Sequence, residues 1–112
     1  MKEIRVCLYC RFAHEDQFVS KAQADLLKTY AQDAGWSIVG IFVDFRTGQT
    51  ADRSGLEQVT QTIATGKANM VLVHSVTRIG RDRSFVESYV KLLSKYGAKL
   101  HCVKERLTLP ER

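Results

Sequence analysis

Hydrophobic and polar positions along the chain change period several times. "EIRVCLY", residues 3–9, has strand character. Over residues 17–34 the apolar positions Val19, Ala22, Leu26, Leu27, Tyr30 and Ala34 recur at about 3.6 residues, which predicts an amphipathic helix stopped by Gly35. "WSIVGIFVD" is rich in β-branched and aromatic residues and predicts a second strand. The polar, glycine-containing "FRTGQTADRSG" predicts a loop. A second helix follows with Leu56, Val59 and Ile63 on its inner face, Asp52 or Ser54 as its cap and Gly66 at its end. "ANMVLVHS" is nearly all apolar, as a central parallel strand covered on both faces must be. After the turn-like "VTRIGRDRS", a third helix from about Ser84 to Tyr96 turns Phe85, Tyr89, Leu92, Leu93 and Tyr96 inward, with Gly97 as its stop. "AKLHCV" is a fourth strand, and the tail "KERLTLPER" is expected to fray.

The alternation β-α-β-α-β-α-β with short connections predicts an α/β fold, a small doubly wound, mostly parallel sheet of strand order 2-1-3-4 with helices on both faces. Ligands in such sheets bind beyond the carboxyl ends of the strands, where the strand order reverses. That rule selects two segments: "RFAHEDQ", read as the strand-to-helix turn after the first strand, and "VTRIGRDRS" after the third.

Length adds one constraint: 112 residues suit a single domain. Hydrophobic content of 45% and charged content of 26% are ordinary for a globular protein. Lys and Arg number 17 against 12 Asp and Glu, a net charge of +5 that favours an anionic partner without specifying one. No stretch reads as a signal peptide or membrane span, so a cytoplasmic location is expected and a membrane partner is not. The three cysteines, an odd number, argue against a disulfide framework.

Chemistry gathers on the two selected segments. Tyr9, Arg11 and Ala13 share a face if the extended backbone continues. Arg78 and Arg81 lie side by side on a helical turn, and Arg53 begins the second helix beside the same sheet edge. Singly, each arginine is most simply a solvated partner of Asp16, Asp44, Asp52 or Asp82. Together they form a cationic rim whose planar guanidiniums suit phosphate oxygens. Cys7 and Cys10 form C-x-x-C, and His101 and Cys102 adjoin each other, but residues three apart on a strand point to opposite faces. Buried thiols are therefore expected rather than zinc, and neither a metal nor another cofactor is expected. His74 and His101 read as satisfied histidines at the core edge, Trp36 as a packing residue, and Tyr30, Tyr89 and Tyr96 as core.

"YCRFAHEDQ" resembles the Tyr-x-Arg-Val-Ser-Thr-x-x-Gln signature of serine recombinases of the resolvase/invertase family. "VDFRTGQTADRSGL" resembles that family's loop and second helix, and "VTRIGRD" its Asp-Arg-x-x-Arg segment. The three motifs follow in the family's order across nearly the whole chain. The resemblance implies site-specific DNA recombination, in which a serine hydroxyl attacks a phosphodiester and forms a 5′-phosphoserine while arginines stabilise the transition state, without metal or ATP. It carries over Tyr9, Arg11, Gln17, Arg53, Arg78 and Arg81 as catalytic positions, Asp44 as an acid near the site, and Arg11, Arg53, Arg78 and Arg81 as DNA phosphate contacts. It also marks three departures. Ala13 stands at the nucleophile position, Thr77 where an acid is usual, and His14 where a threonine is usual. A methyl group cannot attack phosphorus, so no cleavage is expected. Substitution by Ser75, Thr77 or His14 is disfavoured, because a misplacement of about 1 Å can cost on the order of a hundredfold. Several departures together favour a diverged domain over one altered residue. By the same resemblance, residues 1–112 are expected to lack the long dimerisation helix and the C-terminal DNA-binding module. DNA binding would then be weak and phosphate-dominated, with homo-oligomerisation or pairing with an active recombinase subunit as further partnerships. A non-catalytic regulatory module and a small domain for phosphorylated ligands are the competing readings.

Overall fold

A computed structural model of the chain describes residues 3–12, 17–47, 50–51 and 53–111, without the side chains of residues 17–20, 46–47 and 50–51. Ala13, His14, Asp16 and Asp52 therefore lie outside the described residues, as do the side chains of Gln17 and Val19. The elements in chain order are β1 (Arg5–Phe12), α1 (Gln17–Asp33), β2 (Ser37–Thr47), β3 (Thr50–Ala51), α2 (Ser54–Ala64), β4 (Met70–Val73), a 3-10 turn (Val76–Arg78), α3 (Arg83–Lys95), β5 (Lys99–Cys102) and β6 (Leu107–Leu109).

Among the described residues the strands form one sheet of order β3-β2-β1-β4-β5-β6. Its centre, β2-β1-β4-β5, is parallel throughout and has the order expected from the sequence. Two short antiparallel strands extend its edges, β3 on β2 and β6 on β5. Both correct the sequence reading. Part of the polar "FRTGQTADRSG" is strand, with Arg46 opposite Ala51 and Thr47 opposite Thr50. The tail is tied down, not frayed: Leu107, Thr108 and Leu109 pair with Cys102, His101 and Leu100. Pairing at a sheet edge needs only extended backbone, so neither segment carries the apolar signature of a core strand.

The sheet separates two cores. On one face, under α2 and α3, lie Cys7, Tyr9, Val59, Ile63, Val71, Val73, Leu93 and Leu100. On the other, under α1, lie Val6, Leu8, Cys10, Leu27, Ala31 and Leu72. The alternation along β1 sends Cys7 and Cys10 to opposite cores. Burial raises both thiols to about 11 and Cys102 to about 12, with the Glu105 charge adding to the latter, so all three are protonated packing groups at neutral pH. All four residues of β4 are buried, and each fully buried aliphatic side chain of this kind is worth about 1.5–3 kcal/mol.

Each helix ends at a glycine in the left-handed region, Gly35 (φ 77°), Gly66 (φ 79°) and Gly97 (φ 74°). The residue after each glycine returns its N–H to the last turn: Trp36 to Ala31, Lys67 to Thr62 and Ala98 to Leu93. This is the Schellman arrangement that the sequence stops imply.

The helix faces depart from simple periodicity. In α1, Leu27 and Ala31 are buried, while Leu26 is 48% exposed and Ala22 is also exposed, as is Ala34 just beyond the helix. In α3, Tyr89 and Leu93 are buried, Leu92 is half-buried, and Phe85 stands exposed. Tyr96, which follows α3, is exposed as well. A helix lying on one sheet buries a narrower stripe than its apolar positions span, which overturns the inward assignments of Ala22, Leu26, Ala34, Phe85 and Tyr96.

Candidate phosphate-binding site at the carboxyl ends of the central strands

β1 runs on through Tyr9, Cys10 and Arg11 to Phe12, further than the sequence suggested, because these residues pair with Phe42, Val43, Asp44 and Phe45 of β2. Alternation places Tyr9 and Arg11 toward α2 and α3, and register sets Asp44 of β2 opposite Arg11.

The floor of the site is a buried polar network built on Asp44, which is only 3% exposed. One carboxylate oxygen accepts the N–H of Gly55 at 2.6 Å. The other accepts the Tyr9 hydroxyl at 2.7 Å and the N–H of Leu56 at 3.0 Å. Asp44 thus satisfies the first amides of α2 from a strand ten residues earlier, in the favourable field of a helix N-terminus. The residue at the cap position, Arg53, makes no side-chain cap bond. Of the two caps expected for this helix, Asp52 lies outside the described residues, and Ser54 is corrected: it is already helical, and the Gly55 and Leu56 amides go to Asp44. Gly55 is required for that approach, since a Cβ built there would stand 2.7 Å from Asp44 Oδ1. The glycine of "DRSGL" is a space-making residue.

Arg53 completes the network. Its Nη2 donates to the Tyr9 hydroxyl (3.3 Å) and to the Arg78 carbonyl (3.2 Å), and its Nη1 donates to the Ile79 carbonyl (2.9 Å). The guanidinium sits between the rings of Tyr9 and Phe85, 6.0 and 5.7 Å from their centroids. Donors therefore run from Arg53 to Tyr9 to Asp44. Burial, then the Asp44 hydrogen bond, raises the Tyr9 phenol against the smaller opposing effect of Arg53, so it remains a proton donor. The side chain marked by the sequence as a phosphate contact here spends its fork on the backbone of the turn that bears Arg78.

The rim lies above. After β4, Ser75 caps the 3-10 turn by accepting the Thr77 N–H, and the chain then presents Arg78, Arg81 and Arg83. Val76, Thr77, Arg78, Gly80, Arg81, Arg83 and Val86 line an open hollow of about 530 Å³. Arg81 is exposed and Arg78 half-buried. Among the described residues, Arg78 Nε is shielded from water and meets no acceptor. Arg83 pairs with Glu87 at 3.0 Å on the surface of α3.

The site therefore brings together Tyr9, Asp44 and Arg53 directly, with Arg78 joined through its backbone. Arg11 stands in register with Asp44, and Arg81 lies on the rim. Ala13 and the Gln17 side chain fall outside the described residues. Sequence reasoning missed Glu105. Its carboxylate, from the turn between β5 and β6, accepts the Ser75 hydroxyl and the Val76 N–H. No local motif joins residues thirty apart.

The remaining histidines differ from each other. His101 has both ring nitrogens engaged, with Tyr30 and Thr108 at 2.7 Å each, and it packs against Trp36. His74, expected to be satisfied, has a buried Nδ1 with no hydrogen-bond partner among the described residues. No group of three or more His, Cys, Asp or Glu that could hold a metal occurs among the described residues.

Comparison with known proteins supplies the class. The family described as Resolvase, N terminal domain, matches residues 6–111. The chain belongs to that family. A resolvase family site-specific recombinase from Streptococcus pneumoniae superposes with a TM-score of 0.84 at 26% identity, covering 98% of this chain and 78% of that one. The C-terminal catalytic domain of ISC1926 TnpA, an IS607-like serine recombinase, gives 0.79 at 27% identity, covering 89% and 67%. The N-terminal catalytic domain of TP901-1 integrase gives 0.79 at 22% identity, covering 93% and 80%, a likeness of fold. No helix of the described residues is long and apolar enough to cross a membrane.

Proposed function

We propose that this chain is a serine-recombinase catalytic domain that engages the DNA backbone at the carboxyl ends of β1 and β4 and does not cut it. The observation that carries the reading is the rim: Arg78 and Arg81 line one open hollow, and among the described residues Arg78 Nε meets no acceptor. A guanidinium held in this way is suited to phosphate oxygens, and phosphate contacts fix position without reading sequence. Arg11 adds a third cation from β1. Arg53, Tyr9 and Asp44 act beneath as the frame that sets the arginine turn. With Ala13 at the nucleophile position, phosphoryl transfer lacks its attacking atom.

Two measurements test this. Binding of a labelled duplex should weaken linearly in log-log form as salt rises, as it must when phosphate contacts release counterions. Flat salt dependence counts against the rim as a phosphate site. Ala13→Ser, incubated with supercoiled DNA, should yield protein attached to 5′ ends on a denaturing gel. A folded Ser variant that never forms the adduct argues that more than the nucleophile has been lost.

A second reading, a subunit that pairs with an active recombinase, is favoured by one feature. Val39, Ile41 and Val43 of β2 and Leu26 of α1 leave 36–48% of their surface exposed. Co-elution with an active family member, abolished by Ile41→Lys, is the expected result on that reading.

A further inference from the structure

The turn that presents Arg78 and Arg81 is held from two sides. From below, Arg53 grips the carbonyls of Arg78 and Ile79. From the side, the turn between β5 and β6 reaches over the end of β4. Its backbone is fixed there, since Val103 N–H donates to the Val73 carbonyl (3.0 Å) and Lys104 N–H to the His74 carbonyl (2.7 Å). Arg106, at φ 53°, closes the turn in a left-handed conformation that a side chain rarely adopts, and its N–H returns to the Val103 carbonyl. This arrangement delivers one carboxylate, Glu105, to the start of the arginine turn. Oε2 accepts the Ser75 hydroxyl at 2.8 Å, and Oε1 accepts the Val76 N–H at 3.2 Å.

The donors have a fixed direction. Ser75 Oγ accepts from the Thr77 N–H (3.3 Å) and the Thr77 hydroxyl (3.0 Å), so its own single proton goes to Glu105. Ser75 is itself buried. The ladder Thr77 to Ser75 to Glu105 thus ends on a charged acceptor, which makes its bonds the stronger kind. Burial acts to raise the Glu105 carboxyl, but the Ser75 hydroxyl, the amides of Val76 and Glu105 and the Lys104 charge outweigh it and hold the group below its ordinary value.

We propose that Glu105 is a positioning residue for the phosphate site: it clamps Ser75, Val76 and Thr77 so that Arg78 and Arg81 are presented together on the rim. The proposal rests on the reading of Arg78 and Arg81 as phosphate contacts. It makes a prediction opposite in sign to simple charge counting. Glu105 lies beside a cationic site, so neutralising it should strengthen DNA binding if its charge acts only through space. If it acts through the turn, neutralising it should weaken binding.

The experiment is a titration of the chain and its Glu105→Gln variant with a labelled duplex at several salt concentrations. Glu105→Gln is expected to bind roughly three- to tenfold more weakly, with a shallower salt slope, because fewer phosphates are engaged. In an Arg78→Ala, Arg81→Ala background the same change should have no further effect. Glu105→Asp, which keeps the charge one methylene shorter, should recover part of the loss, and it replaces Gln as the test if the Gln chain does not fold. Unchanged or tighter binding by Glu105→Gln overturns the clamp, as does an equal loss in the arginine-free background. Unchanged binding by Arg78→Ala, Arg81→Ala removes the phosphate reading itself, and the clamp with it. Weakened binding there with normal binding by Glu105→Gln removes the clamp alone.

Discussion

The floor and the rim of the site use the same residue types to opposite ends. On the floor, half-buried Arg53 donates to two carbonyls and a hydroxyl, and Asp44, only 3% exposed, accepts from two amides and a hydroxyl. On the rim, Arg81 is exposed along an open hollow. A guanidinium whose fork is filled by the protein contributes to folding, whereas one that faces solvent is available to a ligand. Arginines that look equivalent as a sequence set therefore differ: Arg53 is spent on the protein's own backbone, and Arg81 stays open to solvent.

This contrast is open to direct attack. The largest effect is expected at Asp44. Asp44→Ala leaves the Gly55 and Leu56 amides and the Tyr9 hydroxyl without their shared acceptor, and removing one partner of a buried charged network costs about 3–5 kcal/mol. Urea unfolding should show that loss, and a variant within 1 kcal/mol of the parent would deny the floor its structural role. Gly55→Ala comes next. Its methyl would meet Asp44 Oδ1 at 2.7 Å, an overpacking of about 1–3 kcal/mol read in the same assay. Tyr30→Phe removes one hydrogen bond to His101, far from the site, and should cost about 1 kcal/mol with DNA binding intact. Arg81→Ala should leave stability within about 0.5 kcal/mol but lower the salt slope of duplex binding by about 1. If Arg81→Ala destabilises the fold as much as Asp44→Ala, floor and rim are not distinct.

The smallest effect is that of pH. Burial lowers the His101 pKa below its ordinary value of about 6.5. The unfolded chain then binds the proton more readily than the folded one. Stability from neutral His101 is fully present above the unfolded pKa and is lost as pH falls through the folded value. Unfolding free energy should therefore fall on acidification below about pH 6.5, and less steeply in His101→Gln, as measured by urea titration at a series of pH values.

Much of the fold is legible because its signals are local. The apolar run of β4 marks a covered parallel strand, and Gly35, Gly66 and Gly97 stop helices where the backbone must turn left-handed. The edges were not legible. β3 and β6 are held by backbone pairing, which almost any side chain permits. For the same reason the third helix could be read from its spacing while Phe85 could not be placed: periodicity gives a face, but the neighbouring sheet decides how much of it is covered.

For the site, the sequence determined which residue types are available: the arginines, the Tyr9 and Asp44 positions, an alanine at position 13, and a family membership that spans residues 6–111. Tertiary structure alone decided their division of labour. It brought Asp44 onto the first turn of α2, turned Arg53 inward to the backbone, and set Glu105 against Ser75 across thirty residues. A side chain's chemistry is written in its own atoms, but whether its hydrogen-bonding capacity is already filled depends on which distant backbone folds beside it.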